Sequence, residues 1–66
     1  MFAQRLKELR LEKDYSQKDL ANLLNVSKQN ISDWESRKSE TSFDMLIKIA
    51  NTFDVTVGQL LGTEDL

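Results

Sequence analysis

A chain of 66 residues, 39% hydrophobic and 30% charged, suits one globular domain and holds no apolar run near the ~20 residues that span a bilayer. It has no cysteine and no histidine, which excludes disulfides, thiolate zinc sites, cysteine nucleophiles and imidazole catalysis. The net charge of −2 is divided unevenly: residues 1–38 hold eight Lys/Arg against six acids, while residues 39–66 hold Lys48 against five acids, which points to a partner at the N-terminal half.

The first helix is predicted at about 2–13, where Phe2, Leu6 and Leu9 recur at i, i+4 and i+7. Nothing in its opening residues, Met1-Phe2-Ala3-Gln4-Arg5, resembles a secretory signal core, so a cytoplasmic location is expected. Ser16 begins a second helix, about 17–24. Its hydroxyl can accept from the Asp19 amide while the Asp19 carboxylate reaches back, and Tyr15 and Leu20 take the two positions of a hydrophobic staple. Ser27 starts a third helix, about 28–36, with Val26 and Ile31 as its staple. Ser42 starts a fourth, about 43–53, whose apolar positions are Phe43, Leu46, Ile47, Ala50 and Phe53. Thr56 starts a fifth, about 57–61, with Gln59 at N3, and Gly62 can close it in the left-handed conformation. No stretch alternates with period two, and a chain without proline has little to turn a β fold with. The predicted class is all-α: one five-helix domain over residues 1–66.

Only Asn25, Val26 and Ser27 separate the second and third helices, the spacing of a helix-turn-helix. Asn25 stands where glycine is usual and tolerates positive φ nearly as well. The stretch from Tyr15 to Glu35, YSQKDLANLLNVSKQNISDWE, resembles the helix-turn-helix of the Cro/CI phage-repressor (Xre-like) family. The likeness extends to Arg5–Arg10 as a first helix, Ser42–Ala50 as a fourth and Val55–Leu61 as a fifth. It implies a compact lambda-repressor-like fold and a sequence-specific duplex-DNA-binding transcriptional regulator, expected to be a bacterial or phage-encoded repressor without a cofactor.

At 100° per residue the third helix turns Ile31, Trp34 and Glu35 to one side and Gln29, Ser32, Asp33 and Ser36 to the other, with Lys28 at its N-terminal rim. On a helix-turn-helix that second face meets base edges in the major groove. Gln29 can pair bidentately with adenine, Lys28 can donate to guanine, and Ser32 can serve either. Asp33 can accept from cytosine N4 or repel phosphates in wrong registers. Gln17 matches a phosphate-contacting position of the family. Ser36, Arg37, Lys38 and Ser39, leaving the third helix, are candidate phosphate contacts, or in the case of Arg37 and Lys38 plain solvated charge. By resemblance Arg10 and Glu35 form an ion pair tying the first helix to the third, and Trp34 is expected in the core.

Family members dimerise through their C-terminal region. Val57, Leu60, Leu61 and Leu66 offer more apolar side chains than so short a helix can bury, so a homodimer interface is expected there, the other reading being that they close the monomer core. A different functional class stays open: the same fold serving as a protein-interaction module, such as an antitoxin or a regulator's partner. An enzyme is not expected, because acids such as Asp14 and Asp19 read as helix-start residues without a pocket.

Overall fold

The structure, a computed structural model, describes residues 2–65. Five helices follow one another: α1 (Phe2–Glu12), α2 (Gln17–Leu24), α3 (Lys28–Glu35), α4 (Phe43–Phe53) and α5 (Val57–Leu61). No strand occurs among the described residues, and no described helix is long and apolar enough to cross a membrane. Two ends fall a residue short of expectation: α1 stops before Lys13 and α3 before Ser36.

Side chains at the helix starts act as the sequence suggests. Ser16 and Thr56 each form a full capping box, with Asp19 and Gln59 returning a bond to the cap amide, and Ser27 and Ser42 accept from the amides of Asn30 and Met45. The Ser16 amide, then the Ser16 hydroxyl, hold the Asp19 carboxyl below its ordinary pKa range by bonding its charged form.

The helix ends share one solution that the sequence showed only at Asn25 and Gly62. Each closes on a left-handed residue: Asp14 (φ 59°), Asn25 (φ 59°), Arg37 (φ 65°), Asp54 (φ 56°) and Gly62 (φ 82°). The next amide then returns to a carbonyl five residues back, from Tyr15 to Arg10, Val26 to Ala21, Lys38 to Asp33, Val55 to Ala50 and Thr63 to Gly58, at 2.8–3.0 Å. This 6→1 bond satisfies carbonyls that a helix end leaves orphaned. Asp14 therefore closes α1 and does not open α2.

The core is one cluster to which every helix contributes: Leu6 and Leu9 from α1, Leu20, Ala21 and Leu24 from α2, Ile31 and Trp34 from α3, Ile49, Ala50 and Phe53 from α4, and Leu60 from α5. The Tyr15 ring packs on Phe53 with centroids 6.3 Å apart and tilted planes. Lys48 of α4 donates to the Leu24 carbonyl at 2.6 Å, which fastens the end of α2 to the far side of the core.

Candidate nucleic-acid interface

The turn between α2 and α3 is short because Asn25 takes the left-handed conformation and the Val26 amide bonds Ala21 at once. Ala21, 2% exposed, carries only a methyl group where the two helices pack. This fixes which side of α3 faces out. Ile31 and Trp34 are buried; Lys28, Gln29 and Asn30 are exposed, and Ser32 and Asp33 are half-buried beside them.

On that outer face Gln29 Nε2 donates to Asp33 Oδ1 at 2.8 Å, across one helical turn. Lys28, Arg37, Lys38 and Ser39 are exposed, and their side chains make no hydrogen bond among the described residues. The closure of α3 positions two of them. Arg37 is its left-handed residue and Lys38 supplies the amide that bonds Asp33. Both cations lie at the negative end of the α3 dipole, and both charges remain available to an anion.

Ser36 is a correction. Its hydroxyl turns back on α3 and donates to the Ser32 carbonyl at 2.8 Å, and its amide bonds the same carbonyl. A hydroxyl has one hydrogen to give, so Ser36 is removed from the donors expected for phosphate.

Behind the face lies a buried charge cluster. Arg10 Nε and Nη2 grip the Glu35 carboxylate at 2.7 and 3.1 Å, and Arg10 Nη1 donates to the Tyr15 carbonyl at 2.8 Å. The Arg10 and Glu35 side chains are 9% and 6% exposed. Gln17 also belongs here, since its amide nitrogen donates to Glu35 at 3.2 Å. The sequence reading gave Gln17 to phosphate alone. Its place at the first turn of α2 brings it over the end of α3, and one amide hydrogen is left for an outside acceptor. No buried side-chain polar atom is orphaned among the described residues.

The expected dimer surface is also corrected. Leu60 is fully buried in the monomer core and offers nothing to a second copy. Val57 and Leu61 are half-buried, and Leu66 lies outside the described residues. The large apolar side chains that do reach solvent are Leu11, Leu23, Phe43 and Ile47.

The Helix-turn-helix family profile matches residues 6–60, nearly the whole chain. The chain belongs to the helix-turn-helix family. Its pattern is of the Cro/CI kind, as the likeness of Tyr15–Glu35 implied. Among relatives, the HTH-type transcriptional regulator ImmR of Bacillus subtilis (strain 168) is 36% identical over 94% of this chain and 49% of its own length. The HTH-type transcriptional activator BcrR of Enterococcus faecalis is 40% identical over 98% of this chain and 32% of its own. The SPbeta prophage-derived regulator YonR of B. subtilis is 36% identical over 92% and 56%. The chain thus spans between a third and a little over half of these relatives' lengths. A crystal structure of SinR, a master regulator of biofilm formation, in complex with DNA superposes with a TM-score of 0.84 at 37% identity, covering 92% of this chain and 98% of that one. The SinR–SinI complex gives 0.83 at 36% identity, over 98% and 68%. The helix-turn-helix and its lambda-repressor-like five-helix frame are therefore shared with these regulators.

Proposed function

We propose that this helix-turn-helix chain is a sequence-specific duplex-DNA-binding transcriptional regulator, acting as a repressor in the bacterial cytoplasm. One observation carries the reading: the face of α3 that the packing turns outward bears hydrogen-bonding tips, Lys28, Gln29, Ser32 and Asp33, while free cations, Arg37 and Lys38, stand at its end. In the major groove the first group meets base edges, and Gln17, Arg37, Lys38 and Ser39 meet phosphates. A single recognition helix covers few base pairs, so the regulator acts as a homodimer, with Val57 and Leu61 the members of the expected C-terminal surface that remain exposed enough to share.

Gln29 and Lys38 separate the two kinds of contact. Gln29 is uncharged, so Gln29→Ala costs about 1–3 kcal/mol on the preferred operator and changes little on unrelated duplex. Lys38→Ala weakens binding to every duplex and lowers the salt slope by about one unit per chain, or about two for the dimer. Titrations at several salt concentrations read both. The reverse pattern would put another face of the protein in the groove.

A second reading is favoured by one finding: SinR, similar over nearly this whole chain, is also known bound to a protein, SinI. Retention by a protein partner, with no salt-sensitive binding to any duplex, would move the function to that class.

A further inference from the structure

On the outer face of α3 the carboxylate of Asp33 is out of place. A negative charge brought against a polyanion lowers affinity, and the described residues offer Asp33 no ion-pair partner. Its one side-chain hydrogen bond there is the 2.8 Å contact from Gln29 Nε2. Gln29, for its part, is exposed at the N-terminal end of the helix. Unrestrained, its amide is ambiguous. Turned with its carbonyl and one N–H toward a base it matches adenine, which presents the N7 acceptor and the N6 donor. Turned with both amide hydrogens toward the base it satisfies guanine, whose N7 and O6 are both acceptors.

We propose that Asp33 is a positioning residue that sets Gln29 to read adenine and reject guanine. The inference rests on α3 being the helix that enters the major groove. The hydrogen bond takes one of the two Nε2 hydrogens. What Gln29 keeps for the groove is one donor and its carbonyl acceptor, the complement of adenine, and the two-donor pairing with guanine is lost. The carboxylate adds a second discrimination, because it stands beside the amide where guanine would bring two further acceptors. Spacing supplies the mechanism: Gln29 and Asp33 are four residues apart on one helix face, where a Gln–Asp bond forms without any tertiary support. Asp33 need not touch a base to do this.

The test uses the full chain. Selection from a random duplex library supplies the preferred site, and the pair read by Gln29 is the one whose preference disappears in Gln29→Ala. At that pair the ratio of dissociation constants for A·T and G·C is measured by fluorescence anisotropy. The wild type is expected to favour A·T by about 5- to 150-fold, the worth of a good bidentate contact. Asp33→Ala is expected to cut that ratio to about threefold or less while raising affinity for unrelated duplex, since a repelling charge has gone. Asp33→Asn, whose side-chain oxygen still accepts from Gln29, is expected to keep most of the ratio, and Gln29→Ala with Asp33→Ala to lose no more than Gln29→Ala alone. An A·T preference unchanged in Asp33→Ala, or lost as fully in Asp33→Asn, overturns the positioning role and leaves the groove reading standing. Selectivity unchanged at every position in Gln29→Ala overturns both.

Discussion

Glu35 carries a full charge almost out of water, and three donors from two side chains surround it: two from Arg10 and one from Gln17. Arg10 is equally committed, because its remaining nitrogen holds the Tyr15 carbonyl at the mouth of α2. The cluster joins the end of α1, the start of α2 and the end of α3, so it holds the reading helix in place without touching DNA itself. Arg10→Met strands a buried carboxylate and a buried carbonyl, at an expected cost of about 3–5 kcal/mol. A chain of this size holds roughly 3–10 kcal/mol in all, so the variant is expected to unfold near ambient temperature in a thermal melt. DNA affinity per folded molecule stays unchanged; a strong loss of binding with an unaltered melt would make Arg10 a phosphate contact instead. The double variant Arg10→Glu, Glu35→Arg is expected to recover only part of the loss, because the new carboxylate faces the Tyr15 carbonyl, acceptor against acceptor.

At the scale of the helices, the starts were legible, and so was the position of the ends, but not the left-handed residue that closes α1, α3 and α4. A cap needs a short polar side chain just before an apolar helical run, and Ser16, Ser27, Ser42 and Thr56 all display one. An end needs only a residue that tolerates left-handed φ. Asn25 and Gly62 advertise that tolerance, whereas Asp14, Arg37 and Asp54 hold it under the compulsion of the 6→1 bond. The same blindness hid Lys48 on the Leu24 carbonyl and Gln17 on Glu35, since both bonds depend on how helices cross and not on spacing along one of them. It also left Leu60 open to two readings until packing placed it in the core. Arginine gains nothing locally from a positive φ, so Arg37→Gly relieves strain and is expected to stabilise the fold by up to about 1 kcal/mol, or about 4–8 °C in the melt of a domain this size. The same change removes a proposed phosphate contact, so stability and DNA affinity move in opposite directions. Asp54→Gly is the control: aspartate tolerates the conformation better, and both readouts are expected to move less. The capping box adds a pH dependence. The Asp19 pKa is lower folded than unfolded, so its contribution is complete above the unfolded value, about 3.9, and fades as pH falls through the lower folded one. Asp19→Asn is expected to be less stable than the wild type above about pH 4, with the two converging as pH falls and acid unfolding, followed by circular dichroism, less steep in the variant.

Taken whole, the described part of the molecule has a longest extent of 27 Å. Half-sites on one face of DNA lie about 34 Å apart, so a single copy cannot serve both. In the proposed dimer, Arg37 and Lys38 of two copies would neutralise four phosphate charges, so the expected slope of log K against log salt is roughly −4. A two-fold symmetric footprint with two chains per duplex by light scattering is the expected outcome, and one chain per duplex at saturation would overturn the dimer. The divided charge is consistent with duplex at the N-terminal half, since residues 1–38 hold eight Lys/Arg against six acids and residues 39–66 hold Lys48 against five acids. The helix closures reach further still. Because each of the five helices is finished by bonds between its own neighbouring residues, and because the chain has no proline to isomerise, no helix end waits on a distant segment or a slow bond. Helical folds of this kind form in microseconds to milliseconds, and refolding after a long delay in denaturant should show a single fast phase. A ribosome needs longer than that to add one residue, so these 66 residues fold without lag once they have been made.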